Sequence, residues 1–523
     1  MQGKERSRAW GQLGVRAFAG AMLALAMVGC TTTQHGATVT NQTTVAADQG
    51  VVLLSVTSNS PRTGQFDNIV LEAELAEQGV KHSYRMAQVA RGISRDTALF
   101  VGVLPDGRYR VTRFEVGTLF IDINEASRER IGTVVVSAGK TRDLGRLIVT
   151  NLNDRVLIGR SGQVKSNVEL IRRYAPDAAR FASNVEGTGW AAERSSKDLV
   201  EEFALSTPAG AESMTELPGG EVVAVSRLGS ILVRPTDGKW RRVGIGGLES
   251  LLALAAVDEP DTRLVAVGEF GTIVRMGSNW KVQRVSPGNL PSGNLIRIAG
   301  NSRVGWHVAQ SEGSRVVIYR SDRLEGGDWR AIRTVELGSS IWLGQARFWS
   351  WVTAEGLGYA LSSGEIHHLN FATQAWTQTA APEGRGIMGI HMDPGGVLSM
   401  LSSPSGIWGH LYVSQNQGAL WTELKSPLKV NGNEAIQLAS GATLLQGSVF
   451  SGDELYLLKP GATDWTKYEK GLTLGTRLTA LPNKGIFAVD DGANLAGFAA
   501  IRRSSDEGRT WTLEYSNYVD TKK

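Results

Sequence analysis

Ser504-Ser505-Asp506-Glu507-Gly508-Arg509-Thr510-Trp511 reads Ser-x-Asp-x-Gly-x-Thr-Trp. A glycine free to adopt positive φ and an aspartate able to hydrogen-bond nearby backbone specify a tight hairpin turn. Thr510 and Trp511 then open the next strand, and the indole is expected to fill space between neighbouring sheets. The stretch is a structural device and carries no catalytic group. Working outward from its tryptophan, the same cadence ends at Trp240, Trp280, Trp329, Trp376, Trp421, Trp465 and Trp511, at successive spacings of 40, 49, 47, 45, 44 and 46 residues. Val223-Ala224-Val225-Ser226-Arg227-Leu228-Gly229-Ser230-Ile231-Leu232-Val233-Arg234 leads to Trp240, and Val265 to Arg275 repeats that pattern before Trp280. Each unit reads as an apolar strand, a Gly-containing turn, a second strand, a polar hairpin and then Trp. A period of 40–50 residues with four short strands per unit is the signature of a β-propeller. Seven tryptophans predict seven blades over residues 211–523. The ring closes, and its sheet edges are hidden, if an early strand pairs with the last blade.

The Ser504–Trp511 pattern resembles the Asp-box, the bacterial neuraminidase repeat of sialidase-like propellers. Ser414-Gln415-Asn416-Gln417-Gly418-Ala419-Leu420-Trp421 is a degraded copy, and Asp237-Gly238-Lys239-Trp240 keeps only the core. Asp506 and Gly508, with the seven tryptophans, are therefore the structural repeat residues. The Ala-Val-Gly-x-x-Gly-x-Ile cadence of the first two units is also similar to photosystem-II assembly-factor-like propellers, a family of scaffolds. The resemblance spans about 60% of the chain and is one of fold.

The only cysteine among 523 residues is Cys30, so there is no disulfide framework and no cysteine metal site. Lys4, Arg6, Arg8 and Arg16 precede an apolar run from Ala17 to Val28, which has the form of a secretory signal and is too short to span a bilayer. Ala26-Met27-Val28-Gly29-Cys30 resembles a bacterial lipobox. The resemblance implies cleavage of residues 1–29, acylation of Cys30 and a lipid anchor in the membrane. With Thr31 next, it implies sorting to the outer membrane. The signal carries four Lys/Arg and one Glu, so the formal net charge of +4 falls to about +1 in the mature chain. No basic block points to nucleic acid.

Residues 30–50, rich in Thr, Gln, Ala and Gly, read as a flexible tether. From 51 to 160, runs such as Val51-Val52-Leu53-Leu54-Ser55-Val56 and Ala98-Leu99-Phe100-Val101 alternate with turns, which predicts an antiparallel β-sandwich. Leu104-Pro105-Asp106-Gly107-Arg108-Tyr109 resembles a turn of transthyretin-like or carboxypeptidase-regulatory-like domains, as does Ala138 to Gly145. Across 161–210, Val168, Leu170, Ile171, Tyr174, Ala178 and Phe181 recur near helical spacing and predict a short helical connector. The expected fold is therefore all-β: sandwich, helical connector and seven-bladed propeller.

The catalytic constellations fail one by one. Gly139-Lys140-Thr141 has Val134 where a phosphate loop requires glycine, and no His-Glu-x-x-His, Gly-x-Ser-x-Gly or EF-hand pattern occurs. His367 and His368 are neighbours on a strand and point to opposite faces. Asp490-Asp491-Gly492-Ala493-Asn494 lacks the later glutamate of a calcium loop and reads as a turn. A sialidase resemblance would require an arginine triad, a tyrosine nucleophile with a glutamate partner, and an acid/base aspartate. Its Arg-Ile-Pro motif is missing from the repeats. Arg227, Arg234, Arg275, Arg303 and Arg320 lie on strands or turns, with Arg234 and Arg275 expected on the solvated hairpin side.

Trp342, Trp349 and Trp351 stand outside the cadence, and the last two share one strand face. They are candidate ligand contacts, able to stack on sugars or anchor a protein, and equally able to fill a blade interface. Trp306, His307 and Trp408 are weaker candidates. The expectation is a non-catalytic envelope lipoprotein, a scaffold whose partner is an envelope protein or glycan. No cofactor and no metal site is expected. The alternative is a glycan-binding or glycan-hydrolysing sialidase-like protein.

Overall fold

The computed structural model describes residues 32–36, 39–59, 66–75, 80–90, 94–153, 155–162, 166–195, 197–337, 339–340, 344–345, 347–393, 395–405, 408–428, 430, 432–447, 454–468, 472–473, 476–491 and 498–519. Cys30, Trp342 and Gly492–Asn494 lie outside this set.

Two sheets form the N-terminal module. Its strands are β1 (Thr32–Gly36), β2 (Gln49–Ser58), β3 (Asn68–Ala73), β4 (Lys81–Ala87), β5 (Thr97–Pro105), β6 (Gly107–Val116), β7 (Leu119–Asp122), β8 (Val134–Val136), β9 (Thr141–Leu152), β10 (Arg155–Arg160) and β11 (Val185–Thr188). The first sheet runs β1-β4-β3-β6-β7 with β8 also on β6, and the second runs β10-β9-β2-β5 with β11 also on β9. The pairs β1/β4, β2/β9 and β9/β11 are parallel, a departure from the antiparallel expectation. Parallel neighbours need a long crossover, and between β2 and β9 the chain runs through every strand of the first sheet except β1.

The apolar run of β2 shows its period. Val52, Leu54 and Val56 enter the core shared with Ile69, Leu71 and Phe114 of the first sheet. Val51 and Leu53 face the other way, onto Leu170, Ile171 and Phe181. A strand covered on both faces reads as a continuous hydrophobic run. In the quoted turn, Tyr109 closes the loop by donating its hydroxyl to the Pro105 carbonyl at 2.8 Å.

Within 161–210 lie α2 (Asn167–Tyr174) and α3 (Leu199–Ser206); α1 (Glu125–Ile131) precedes them. This segment does more than connect, because β11 joins the second sheet and Trp190 is buried in the module core. Asp198 caps α3 by accepting from the backbone N–H groups of Val200 and Glu201. The stretch expected as a flexible tether is also part of the module: β1 pairs with β4, and Val39 is buried beside Val51 and Leu53.

Among the described residues, seven four-stranded antiparallel sheets follow. Their inner strands are Ser213–Glu216, Leu251–Glu259, Asn294–Asn301, Phe348–Val352, Ile387–Met392, Glu434–Gln437 and Arg477–Leu481. Successive sheets, blades 1 to 7, enclose apolar clusters at every junction round the ring, including that between blades 7 and 1. Each cadence tryptophan packs into the junction with the preceding blade. Trp280 lies in the cluster shared with blade 1, Trp329 with blade 2, Trp376 with blade 3, Trp421 with blade 4, Trp465 with blade 5 and Trp511 with blade 6. Trp240 meets Phe487 of blade 7 edge-on, with ring centroids 6.2 Å apart.

The ring closes without strand exchange, contrary to expectation. Blade 7 is built wholly from residues 477–516 and blade 1 from 213–244. Each blade is complete in sequence, so side chains make the closure. Val222, Ala224 and Leu232 pack on Phe487, Val489 and Ile501, and the Tyr515 hydroxyl donates to the Pro208 carbonyl at 2.8 Å.

The turn chemistry recurs between blades 5 and 7. Ser504 Oγ accepts from Gly508 N at 2.8 Å and Asp506 Oδ1 from Thr510 N at 2.9 Å. Ser414 Oγ and Asn416 Oδ1 do the same for Gly418 N and Leu420 N, each at 2.8 Å. Both turns place a non-glycine and then the glycine at positive φ: Glu507 59° and Gly508 89°, Gln417 58° and Gly418 92°. Asparagine therefore replaces the aspartate with the turn intact.

The module docks on one face of the ring. Asp96 pairs with Arg227, and Arg95 reaches Glu212 at 2.6 Å. Glu269 accepts from Ser94 Oγ and from Asp96 N. Tyr174 packs on Phe270 with centroids 5.3 Å apart, and Ile148 and Ala204 meet Leu228 and Leu248.

Candidate functional site: a cleft between blades 4 and 5

In a four-stranded meander, the loops joining strands one to two and three to four emerge on one face of the ring. The remaining connections emerge on the other. Arg227, Glu269 and Phe270 sit on second-to-third turns, so the module covers part of the latter face. The opposite face carries a cleft of about 680 Å³ between blades 4 and 5. This lies within the range of ligand pockets. Its walls are the first loop of blade 4 (Thr353–Glu355), the strand Glu365–Asn370 with His367 and His368, and Thr377 and Thr379 on the outer strand. Gly395, Gly396 and the degraded box at Gln415–Ala419 close it from blade 5.

The box turn positions this far wall. Its Gly418 carbonyl accepts from Thr379 Oγ1 at 3.2 Å, which ties blade 5 to blade 4 at the cleft. His367 stacks on Tyr359 with centroids 4.7 Å apart, and its ring nitrogens lie 3.1 Å from Arg333 Nη2 and 3.2 Å from Glu365 Oε2. Burial holds both imidazoles below their usual titration range. They are neutral at pH 7. His368 Nε2 and Gln417 Oε1 are buried and, among the described residues, have no hydrogen-bond partner. The cleft thus offers neutral polar groups and a few apolar side chains, with Glu355 exposed at its rim. Among the described residues no group of three or more His, Cys, Asp or Glu is placed to hold a metal.

The sequence candidates fall unevenly. Trp351 is only 3% exposed and packs with Ile366, Met392 and Trp421, so it fills the junction beside the cleft and offers no open ring face. A Cβ on Gly358 would lie 2.1 Å from its indole, so that position requires glycine. Trp349 is half-buried in the same cluster. Trp306 is buried between blades 2 and 3, His307 stacks on Phe371 at 4.7 Å, and Trp408 is exposed. Sequence reasoning missed the cleft because its walls come from two blades. The degraded box and the adjacent histidines were its only visible traces.

The arginines are committed elsewhere. Arg234, expected to be solvated, is buried and held by Glu514 at 2.6 and 2.8 Å. Arg227 holds Asp96, Arg320 pairs with Asp322 at 2.7 Å and Arg275 donates to Gln283 at 2.9 Å. Arg303 is exposed on a loop.

No protein-family model and no curated protein matches the chain. Solved structures do resemble it. A catalytically inactive virginiamycin B lyase from Staphylococcus aureus with quinupristin is 13% identical, with TM-score 0.40, covering 54% of this chain and 92% of that one. YCF48 bound to a D1 peptide is 15% identical, with TM-score 0.42, covering 58% and 95%. The WD40 propeller domain of Doa1 is 11% identical, with TM-score 0.38, covering 58% and 94%. These are likenesses of fold. The chain is a β-propeller protein with a two-sheet module docked on one face.

Proposed function

We propose that this chain is a non-catalytic lipoprotein of the bacterial envelope, anchored through Cys30 in the outer membrane, and that it acts as a binding or assembly scaffold. Its ligand site is the blade 4/5 cleft and its partner an extended segment of another envelope protein. The observation that carries this reading is the division of labour between the faces. Charged side chains on the docked face hold the module, whereas the open face carries a large cleft whose histidines are neutral. A neutral, hydrogen-bonding cleft suits uncharged backbone amides better than a carboxylate or phosphate.

The test is affinity capture from envelope extracts with the wild-type chain and with Thr377→Trp and Ala419→Trp, which fill the cleft from exposed positions. A protein enriched by the wild type and lost with both variants is the expected result. Equal enrichment with all three would end the cleft reading.

A glycan ligand is the second reading, favoured by the exposed polar side chains of the cleft wall, Thr377, Gln415 and Asn416, which suit sugar hydroxyls. A glycan array separates the two. A fluorogenic sialidase assay tests the hydrolytic version, and turnover there would overturn the scaffold.

A further inference from the structure

The chain just after Cys30 is bound into the module. β1 pairs in parallel with β4 from Thr32 opposite Lys81 to Gly36 opposite Arg85. Beyond it, Val39 is buried against the second sheet, and the carbonyls of Thr40 and Thr43 both accept from Arg180. Asp106 N then donates to the Asp48 carbonyl at 2.8 Å. Only Thr31 separates Cys30 from the first paired residue, so two residues at roughly 3.5 Å each, about 7 Å, is all the reach an anchor there would have.

Strand directions fix which end of the module this is. The propeller contacts Ser94, Arg95 and Asp96 lie just before β5, at the end where Thr97 opposes Thr57. The other end of that pair is Pro105 opposite Gln49. In the first sheet, Asn68 opposes Ala87 toward the propeller and Glu72 opposes Ser83 away from it. Thr32, beside Lys81, therefore sits at the end remote from the propeller. Leu75 follows β3 at that end and is 79% exposed.

We propose that the two-sheet module is a rigid stand. Its Thr32/Leu75 end rests on the bilayer that holds the acyl chains, and it carries the propeller with the cleft face turned away from the membrane. β2 has ten residues, which at about 3.3 Å each sets the propeller roughly 30 Å above the surface. The ion pairs and packing at the opposite end transmit that orientation to the ring. A flexible tether would allow every orientation; a paired strand starting two residues from the anchor allows few. This inference rests on the acylation of Cys30 in the reading above.

The test uses full-length acylated protein in phosphatidylethanolamine/phosphatidylglycerol vesicles containing a headgroup-labelled acceptor lipid. Acylation occupies the chain's one cysteine, so Leu75→Cys and Ser278→Cys each supply a single thiol for a donor dye. Ser278 is exposed on a third-to-fourth-strand turn of blade 2, on the cleft face. The stand requires donor quenching several-fold greater at position 75 than at 278. Equal quenching at the two positions overturns it, whether the propeller lies on the surface or tumbles. Vesicle flotation of the wild type against Cys30→Ser reads the anchor separately. If the two float alike, the acylation reading has failed and the stand falls with it. If only the wild type floats and quenching is still equal, the stand alone is wrong.

Discussion

Arg234 and Glu514 clasp the first blade to the seventh. The guanidinium Nε and Nη2 donate to the two carboxylate oxygens at 2.6 and 2.8 Å, and both side chains are close to fully buried. The indole N–H of Trp240 adds a bond to the same carboxylate at 3.3 Å. A bidentate pair of this kind gives direction as well as energy. It sits where a strand shared between the two blades was expected.

Arg234→Ala leaves the buried Glu514 carboxylate with only the Trp240 indole N–H at 3.3 Å and Arg503 Nη1 at 3.9 Å, and is expected to cost about 3 kcal/mol, the low end for a broken buried pair. Replacing both partners with apolar residues, Arg234→Met with Glu514→Leu, is expected to recover most of that loss. Chemical unfolding of the single and double variants measures both, and a double variant no better than the sum of the singles would refute the clasp.

The seven cadence tryptophans are not equivalent. Trp329 is 4% exposed, while Trp280 and Trp465 are half-buried at the ring's edge. Trp329→Ala should cost about 3–5 kcal/mol as a core truncation, and Trp280→Ala clearly less. Equal losses in thermal unfolding would contradict this ordering.

What the sequence made legible follows range. The Ser504–Trp511 turn is closed by bonds between residues two to four apart, so local chemistry announces it and its copy at Ser414. The tryptophan spacing then sets the sheets. Arg234 and Glu514 are 280 positions apart and Arg227 and Asp96 131 apart, and no local pattern links such pairs. Arg234 was expected on the solvated side for that reason. Trp349 and Trp351 were visible as strangers to the repeat, but only the neighbouring blade shows what they touch.

Gly358→Ala tests how tightly Trp351 seals the junction beside the cleft. The new methyl would overlap the indole at 2.1 Å, so Trp351 or the strand must move. Overpacking of this kind is expected to cost about 1–3 kcal/mol. The same variant should weaken capture of the partner proposed for the cleft. Unchanged stability would mean that the junction has room for the methyl group.

His391 and Glu434 give the ring a pH dependence of definite sign. The imidazole Nε2 lies 2.6 Å from the carboxylate, joining the inner strands of blades 5 and 6, and Glu434 Oε2 accepts from Leu478 N of blade 7 at 2.6 Å. Burial alone would lower the His391 pKa, but the carboxylate outweighs it and the imidazole titrates above its usual value of 6.5. A histidine raised by folding contributes stability that is fully present below the unfolded value and is lost as pH rises through the folded one. The melting temperature of the wild type should therefore fall as pH rises from 6.5 through the range in which His391 deprotonates. His391→Gln, which keeps a hydrogen-bond donor and removes the titration, should flatten that part of the curve. Parallel pH profiles for the two proteins would show that the pair does not couple protonation to the ring.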